Sequence, residues 1–593
     1  MQQVSDKLIE LRNKMDIHGI DACIIPSEDP HLSEYPSQHW KIREWISDFT
    51  GSAGTVVVTA EEAGLWVDSR YHLQAEKELD QSCINLFKSG EKDIPSYEEW
   101  LISTLTPGSK IGIDGRCFSI SKLRSLTRKF RTAGIKIDPA ITISEEIWDA
   151  RPPIPEDTVF MHDEKYVGSS RSKKIHAVRK SMKRNNVSHY ITVSLDEIAW
   201  LLNLRGKDVP YNPLFHAFLI IDYDQIKLFI NPHKLTAQIA QKLIVDEVKV
   251  YTYEDFYLHL ADISEDAIIY IDPERINSAV YSTIPQRTTK KEGISIIADL
   301  KSQKNRIEVE NFKSTLIKDG VAMIKFLMWI EDNFKSENIT EYSAVKKLKQ
   351  IRAQNSEFKG ESFATISAYA ENGALAHYKA EKSNSAVLKE GSLFLIDSGG
   401  QYPGGTTDIT RTIPLGEIPE EAKVDYTLVL KGHISLASAS FPNGTRGCHL
   451  DILARKSMWE YGINYGHGTG HGIGYFLNVH EGPQSIRPED NGIQFKPGMI
   501  TSNEPGIYRA GKYGIRIENL ILCKETEETD FGQFLEFETL TICPIETSII
   551  KKELMTTTEI LWLNSYHTKV NELLSPHLSN EEKIWLEKKT KQL

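Results

Sequence analysis

Long apolar runs are missing from this chain of 593 residues: no stretch of about 18 consecutive hydrophobic residues occurs, so no segment reads as a membrane-spanning helix. A positive charge balance is missing as well. The 70 Lys and Arg against 82 Asp and Glu leave a formal charge of -12, which argues against nucleic acid as a partner, since phosphate binding needs a basic excess. One short basic run, KSMKRNN at 180–186, reads as a solvated helix end. Cysteine is scarce. The six, at 23, 83, 117, 448, 523 and 543, form no CxxC pair and no short framework spacing, and fit reduced, mostly buried thiols of a cytosolic protein. There is no low-complexity tract and no signal peptide: MQQVSDKLIELRNKM begins an amphipathic helix with Val4, Leu8, Leu11 and Met15 on one stripe. Cytoplasm is the expected location.

What remains is an ordinary globular composition, 40% hydrophobic and 26% charged, on a chain too long for one core. Sliding the sequence by 167 positions lays KLIELRNKMDIHGIDACIIPSED (7–29) over KIHAVRKSMKRNNVSHYITVSLD (174–196) without a gap. Lys7, Arg12, Met15, Ser27 and Asp29 fall on Lys174, Arg179, Met182, Ser194 and Asp196. Each copy reads as helix, apolar strand and polar turn, and a hairpin-like pair follows in each, GTVVVTAEEAGLWVD (54–68) and AFLIIDYDQIKLFIN (217–231). Two related α/β domains explain that order. The prolines of ARPPIPED (150–157) break the chain between them. The expected division is 1–152, 153–303 and 304–593, and the glycine clusters and acidic strand pairs place the chemistry in the third part.

In that third part carboxylates stand where strands should be apolar. LFLIDSGGQYPGGTTDITRTI (393–413) reads as two strands, with Asp397 sharing a face with Leu393 and Leu395, and Asp408 one with Thr406 and Thr410. TSNEPGIY (501–508) sets Glu504 before a proline, and GIRIENLILC (514–523) reads as a strand with Glu518 embedded in it. Each alone fits an edge strand or a structural pair with Arg411 or Arg516. Pointing into one cavity, they would raise one another's pKa unless a cation sat between them. Two aspartates, two glutamates and one histidine carry four negative charges, which two divalent cations neutralise. Hard oxygen donors with one imidazole suit Mn²⁺, Co²⁺ or Mg²⁺, and paired metals are a recurrent plan for hydrolysis. The histidine comes from YGHGTGHGIG (465–474), where glycines imply backbone that bends or is closely approached.

The order IDSGGQYPGGTTDITRT, GHGTGHGIGYFLNVHEGP, SNEPGIY, GIRIEN closely resembles the aminopeptidase P (Xaa-Pro aminopeptidase) family, in its long, three-domain, cytosolic type. The segments FKGESFATISAYAENGALAHY (358–378) and VLKGHISLASASFPNGTRGCHLDILAR (429–455) extend the likeness, which covers essentially the whole chain. The resemblance implies an α/β (α+β) fold class: two creatinase-N-terminal-like α/β domains followed by a pita-bread catalytic domain with a C-terminal helical extension. It implies a metal-dependent aminopeptidase that releases the residue before a proline in second position. Asp397, Asp408, His471, Glu504 and Glu518 become ligands of two metal ions, typically manganese, with Co²⁺ or Zn²⁺ as alternatives. Glu504 becomes the proton acceptor, His480 and His377 stabilise the transition state or contact substrate, and His467 lines the pocket. Arg70, in VDSRYHLQA, resembles an arginine that the first domain presents near the active site. A homodimer is expected, with no nucleic-acid or membrane partner. AYAEN (368–372) departs from the pattern, with Ala370 and Glu371 where a glycine and then a small residue or proline are expected. A prolidase-like dipeptidase, a creatinase-like amidinohydrolase and a non-catalytic pita-bread binding protein are the rival readings.

Overall fold

The 167-residue repeat in the sequence becomes two sheets of one topology in the computed structural model, which describes residues 3–79 and 82–593. In the first, Ala22–Ile25 is central, antiparallel to Thr55–Thr59 and parallel to Lys110–Gly112. Ala63–Val67 and Asn85–Lys88 extend one side, and Lys136–Asp138 the other. In the second, His189–Thr192 takes the central place, between Phe218–Ile221 and Ile268–Ile271. Ile226–Phe229, Val248–Tyr251 and Thr289–Glu292 complete it with the same strand order and directions. Both hairpins expected from the sequence form.

The matched residues explain themselves here. Lys7 donates to the Trp45 carbonyl (2.6 Å) and to Asp48 (2.7 Å), closing a helix whose last cap, Asp48, is left-handed. Lys174 donates to the Trp200 carbonyl (2.9 Å) and to Asn203 (2.7 Å), another left-handed cap. Arg12 and Arg179 each reach a carbonyl at the end of the neighbouring strand, on Thr59 and Asp222, at 3.0 Å. A cation at a helix C-terminus satisfies orphan carbonyls and faces the negative end of the dipole. Both sheets belong to one compact unit, formed by residues up to Met161 with Ser169–Pro210 and Leu214–Ile297.

The second unit comprises His162–Gly168, Tyr211–Pro213 and Ala298–Leu593. Its longest helix, Arg306–Asn333, starts on an Asn305/Glu308 capping box and buries Phe312, Leu316, Met323, Phe326 and Ile330. A three-stranded sheet runs Ile366–Tyr369, Ser392–Ser398, Ile409–Leu415. A six-stranded sheet contains Gly470–Gly472, Ile500–Asn503 and Asn519–Thr529 as neighbours of one another or of a shared strand. Helices Glu420–Ala437 and Thr557–Leu574 share a core through Tyr426, Leu428, Leu563, Val570 and Leu574, so the C-terminal helical stretch packs within the chain. All six cysteines are free thiols, four of them buried. Among the described residues, no helix is long and apolar enough to cross a membrane.

Candidate metal centre

Three of the four carboxylates stand where a strand is broken, which corrects the sequence reading. Asp397 does lie inside Ser392–Ser398, opposite Thr410. Asp408, however, precedes the strand Ile409–Leu415, and Thr406 belongs to a different sheet. Glu518 is not embedded in one strand but separates Tyr513–Arg516 from Asn519–Thr529. Glu504 separates Ile500–Asn503 from Gly506–Arg509. The pairing Asn503↔Asn519 on one side and Gly506↔Arg516 on the other keep a single antiparallel register. Glu504 and Glu518 are therefore opposite positions of one long hairpin, at the gap in its ladder. A ladder spends its backbone groups on its partner; a gap leaves room for side chains to turn inward.

Hydrogen bonds close the space around them. Glu518 N–H donates to the Thr410 carbonyl (3.1 Å), and the Thr410 hydroxyl donates to Glu518 Oε2 (2.7 Å). The Ser502 hydroxyl donates to Glu504 Oε1 at 3.0 Å, and His471 N–H donates to the same hydroxyl oxygen at 2.9 Å. His471 Nδ1 donates to the Gly472 carbonyl, so Nε2 is the nitrogen that faces Glu504 Oε1 (3.4 Å) and Asp408 Oδ2 (3.6 Å). The glycines beside it answer to crowding: a Cβ on Gly470 would stand 2.0 Å from the Ser502 carbonyl oxygen, and one on Gly472 2.3 Å from that of Glu481. Neither glycine has a positive φ.

Arg516 is the buried counter-charge. Its guanidinium donates to Asp397 Oδ2 (2.5 Å), to the Thr410 hydroxyl (3.1 Å) and to the Tyr508 hydroxyl (2.6 Å). Arg411, the other arginine weighed for a structural pair, goes instead to the carbonyls of Thr410, Glu518, Cys543 and Pro544. One arginine does not offset four carboxylates. Burial, then Glu518, Asp397 and Glu504, hold the Asp408 carboxyl well above its usual range. Burial, then Glu504 and Asp397, do the same to Glu518. Glu504 is pushed up to about 7, first by burial, with Arg516 opposing and Asp397 adding to it.

These residues fit a cation. The donor atoms of Asp408, His471 and Glu518 all lie within 4.8 Å of one another. Asp397 Oδ1 is buried with no hydrogen-bond partner among the described residues. An acceptor left unmet beside three clustered donors is the environment that a bound divalent ion would satisfy.

The flanking histidines are placed as follows. His480 stands edge-on to His471, ring centroids 4.3 Å apart. The next residue, Glu481, is buried between Lys301 (2.6 Å) and Lys304 (2.7 Å), which fixes the backbone that carries His480. His467 Nδ1 donates to the Gly468 carbonyl, and its Nε2 accepts from the Tyr508 hydroxyl at 2.9 Å, linking it through Tyr508 to Arg516. His377 is half-buried in the loop after the short turn Ala370–Ala374, which leans on Gly514. Arg70 lies in the first unit, forked onto Asp68 at 2.8 and 2.6 Å. Tyr508, Ser502 and Thr410 were not singled out as site residues from sequence; only their nearness to the candidate ligands along the chain hinted at them.

Residues 310–525 match Metallopeptidase family M24, and 533–593 the C-terminal region of that peptidase. Residues 7–150 and 150–308 each match the Creatinase/Prolidase N-terminal domain. A probable Xaa-Pro aminopeptidase P of Coprinopsis cinerea is 38% identical, over 99% of this chain and 98% of its own. Aminopeptidase P2 of Arabidopsis thaliana is 38% identical over 100% of this chain and 89% of its own. The crystal structure of the X-prolyl aminopeptidase of Caenorhabditis elegans, described as a cytosolic enzyme with a di-nuclear active site, superposes with a TM-score of 0.95 at 33% identity, covering both chains fully.

Proposed function

The chain belongs to metallopeptidase family M24, in its Xaa-Pro aminopeptidase branch, and from that membership and the site geometry we infer that it hydrolyses the bond between an N-terminal residue and a following proline. The observation that carries the reading is the meeting of Asp408, His471 and Glu518 donor atoms within 4.8 Å, beside the unmet Asp397 Oδ1 and Glu504. Asp397, Asp408, His471, Glu504 and Glu518 are the residues that would hold two divalent cations. When bound, such ions supply Lewis acidity and an activated water.

The chain's own residues do the rest. Glu504, whose Oε1 accepts from the Ser502 hydroxyl, takes the proton of the attacking water and passes it to the leaving proline nitrogen. His480 and His377 donate hydrogen bonds to the carbonyl oxygen as its charge grows. His467, steadied through Tyr508, lines the pocket for the substrate. Arg516 pairs with Asp397 and keeps it aimed. Proline in second position offers a tertiary amide with fixed φ and no N–H, so the pocket must accept a bent backbone without asking that nitrogen for a hydrogen bond.

Manganese is the metal proposed, since four carboxylates and one imidazole are hard donors with no thiolate among them. A cytoplasmic location is supported by the free thiols and by the cytosolic relative from Caenorhabditis elegans. A homodimer is proposed on the family resemblance. Aminopeptidase rather than dipeptidase specificity is supported by full-length likeness to relatives named Xaa-Pro aminopeptidase. Steady-state kcat/KM for Ala-Pro-Ala against Ala-Pro, before and after chelation and Mn²⁺ return, is the test. Cleavage of the tripeptide after its first residue, lost on chelation, is expected. A preference for the dipeptide would make the enzyme a prolidase, and full activity without metal would remove the mechanism.

A further inference from the structure

His377 is carried by a segment with little structure of its own. Between the strands Ile366–Tyr369 and Ser392–Ser398 there is only the turn Ala370–Ala374. A single buried carboxylate, Glu341 on the first turn of helix Glu341–Arg352, gathers this segment. Its Oε1 accepts from Tyr369 N–H (2.7 Å) and from the Asn372 side-chain amide (3.0 Å). Its Oε2 accepts from the Tyr378 hydroxyl (2.7 Å) and from Ala386 N–H (2.8 Å). The tie is returned by the backbone, since Glu341 N–H donates to the Ala386 carbonyl and Tyr342 N–H to the Ser385 hydroxyl.

The donors come from the loop's entry (Tyr369, Asn372), from the residue next to His377 (Tyr378) and from its exit (Ala386). All are neutral, so the charge that binds them together is that of Glu341. A buried ionised carboxylate is stable only when its oxygens are filled by donors, and here every one of those donors belongs to the loop. Removing the charge costs the loop its centre without touching the metal ligands.

We propose that Glu341 is a positioning residue for the reaction, holding the 369–386 loop so that His377 meets the substrate carbonyl. The proposal rests on the reading of His377 under Proposed function. Glutamine at this position keeps the shape but turns an N–H₂ group toward groups that are themselves donors.

The test uses the full-length, manganese-loaded enzyme, with Glu341→Gln and Tyr378→Phe each made alone and on a His377→Ala background. Misplacing a catalytic group by about 1 Å can cost about a hundredfold, so Glu341→Gln should lower kcat by about 10- to 100-fold with KM changed less than about threefold. Tyr378→Phe, which removes one of the loop's ties, should lose less. On the His377→Ala background neither substitution should cost more than about twofold further, because residues acting through one group are not additive. Trypsin supplies a readout independent of turnover: cleavage after the exposed Lys379 or Lys382 should quicken about tenfold in Glu341→Gln as the loop opens more often. Equal losses in both backgrounds, or wild-type kcat in Glu341→Gln, would overturn the proposal. If Glu341→Gln does not fold, the Tyr378→Phe cycle decides in the same way. A wild-type protein without peptidase activity would instead refute the functional reading, while the trypsin rates would still test the clamp.

Discussion

Metal-free protein should lose stability as pH rises through the weakly acidic range, and Glu504 carries a definite share of that loss. In the folded, metal-free chain its carboxyl is raised from 4.5 to about 7, mainly by burial. Between those two values the folded state keeps a proton that the unfolded chain releases, so stability is greatest on the acid side and falls as pH climbs. At about 1.4 kcal/mol per unit, the loss amounts to about 3 kcal/mol by neutral pH. Asp408 and Glu518 are displaced in the same direction, so each adds its own loss from its unfolded value upward, and their loss continues beyond neutral pH. For a unit of this size the penalty corresponds to a fall in Tm on the order of 5 °C. Calorimetry of EDTA-treated protein from about pH 5 to about pH 7.5 would measure it, with Glu504→Gln as the control. The variant carries no proton at that position, so metal-free Glu504→Gln should be more stable than wild type at neutral pH by about 3 kcal/mol, and the two should converge near pH 4.5. Saturating Mn²⁺ should reverse the slope for wild type, since cation binding replaces the protons and stabilises the folded state. Metal-free Glu504→Gln no more stable than wild type at pH 7 would refute the reasoning.

Catalysis gives a companion test: Glu504→Gln should lower kcat by about 10²-fold or more, in the range of a lost general base, and a variant that keeps both its metal and its rate would reduce Glu504 to a ligand. Ala370 has φ of 51°, the left-handed conformation in which a glycine is at ease, so Ala370→Gly should stabilise the catalytic unit by about 0.5–1 kcal/mol in denaturant unfolding. A destabilised variant would mean that the freedom gained by the unfolded chain outweighs the relief.

That glycine position shows how the sequence and the structure inform each other. The family pattern marks Ala370 as a departure; the structure gives the physical content of the pattern, a positive φ that alanine adopts at a cost. The candidate ligands stood out in sequence as carboxylates in apolar surroundings, because burying an ion demands a reason that side-chain pattern alone exposes. Their exact strand positions were not visible. A period of two runs straight through residues 514–523, and nothing in composition says that the ladder opens between Arg516 and Asn519. Residues that act across long sequence gaps were silent too. Glu341 reaches Ala386, and Lys304 reaches Glu481, through contacts that only the folded chain brings together. Both glutamates look, in one dimension, like ordinary surface residues. The repeat was legible because it needed no tertiary knowledge, only the chain laid against itself.

Duplication followed by divergence leaves a record of what a fold cannot give up, and the first unit carries such a record within one chain. Of the five matched pairs in its two copies, three serve fastening and packing. The paired lysines tie off equivalent helix ends, the paired arginines hold equivalent strand ends, and Met15 and Met182 are both sealed from solvent. The ancestral segment is thus remembered by its stitching, and the surfaces around it were left at liberty to acquire separate histories.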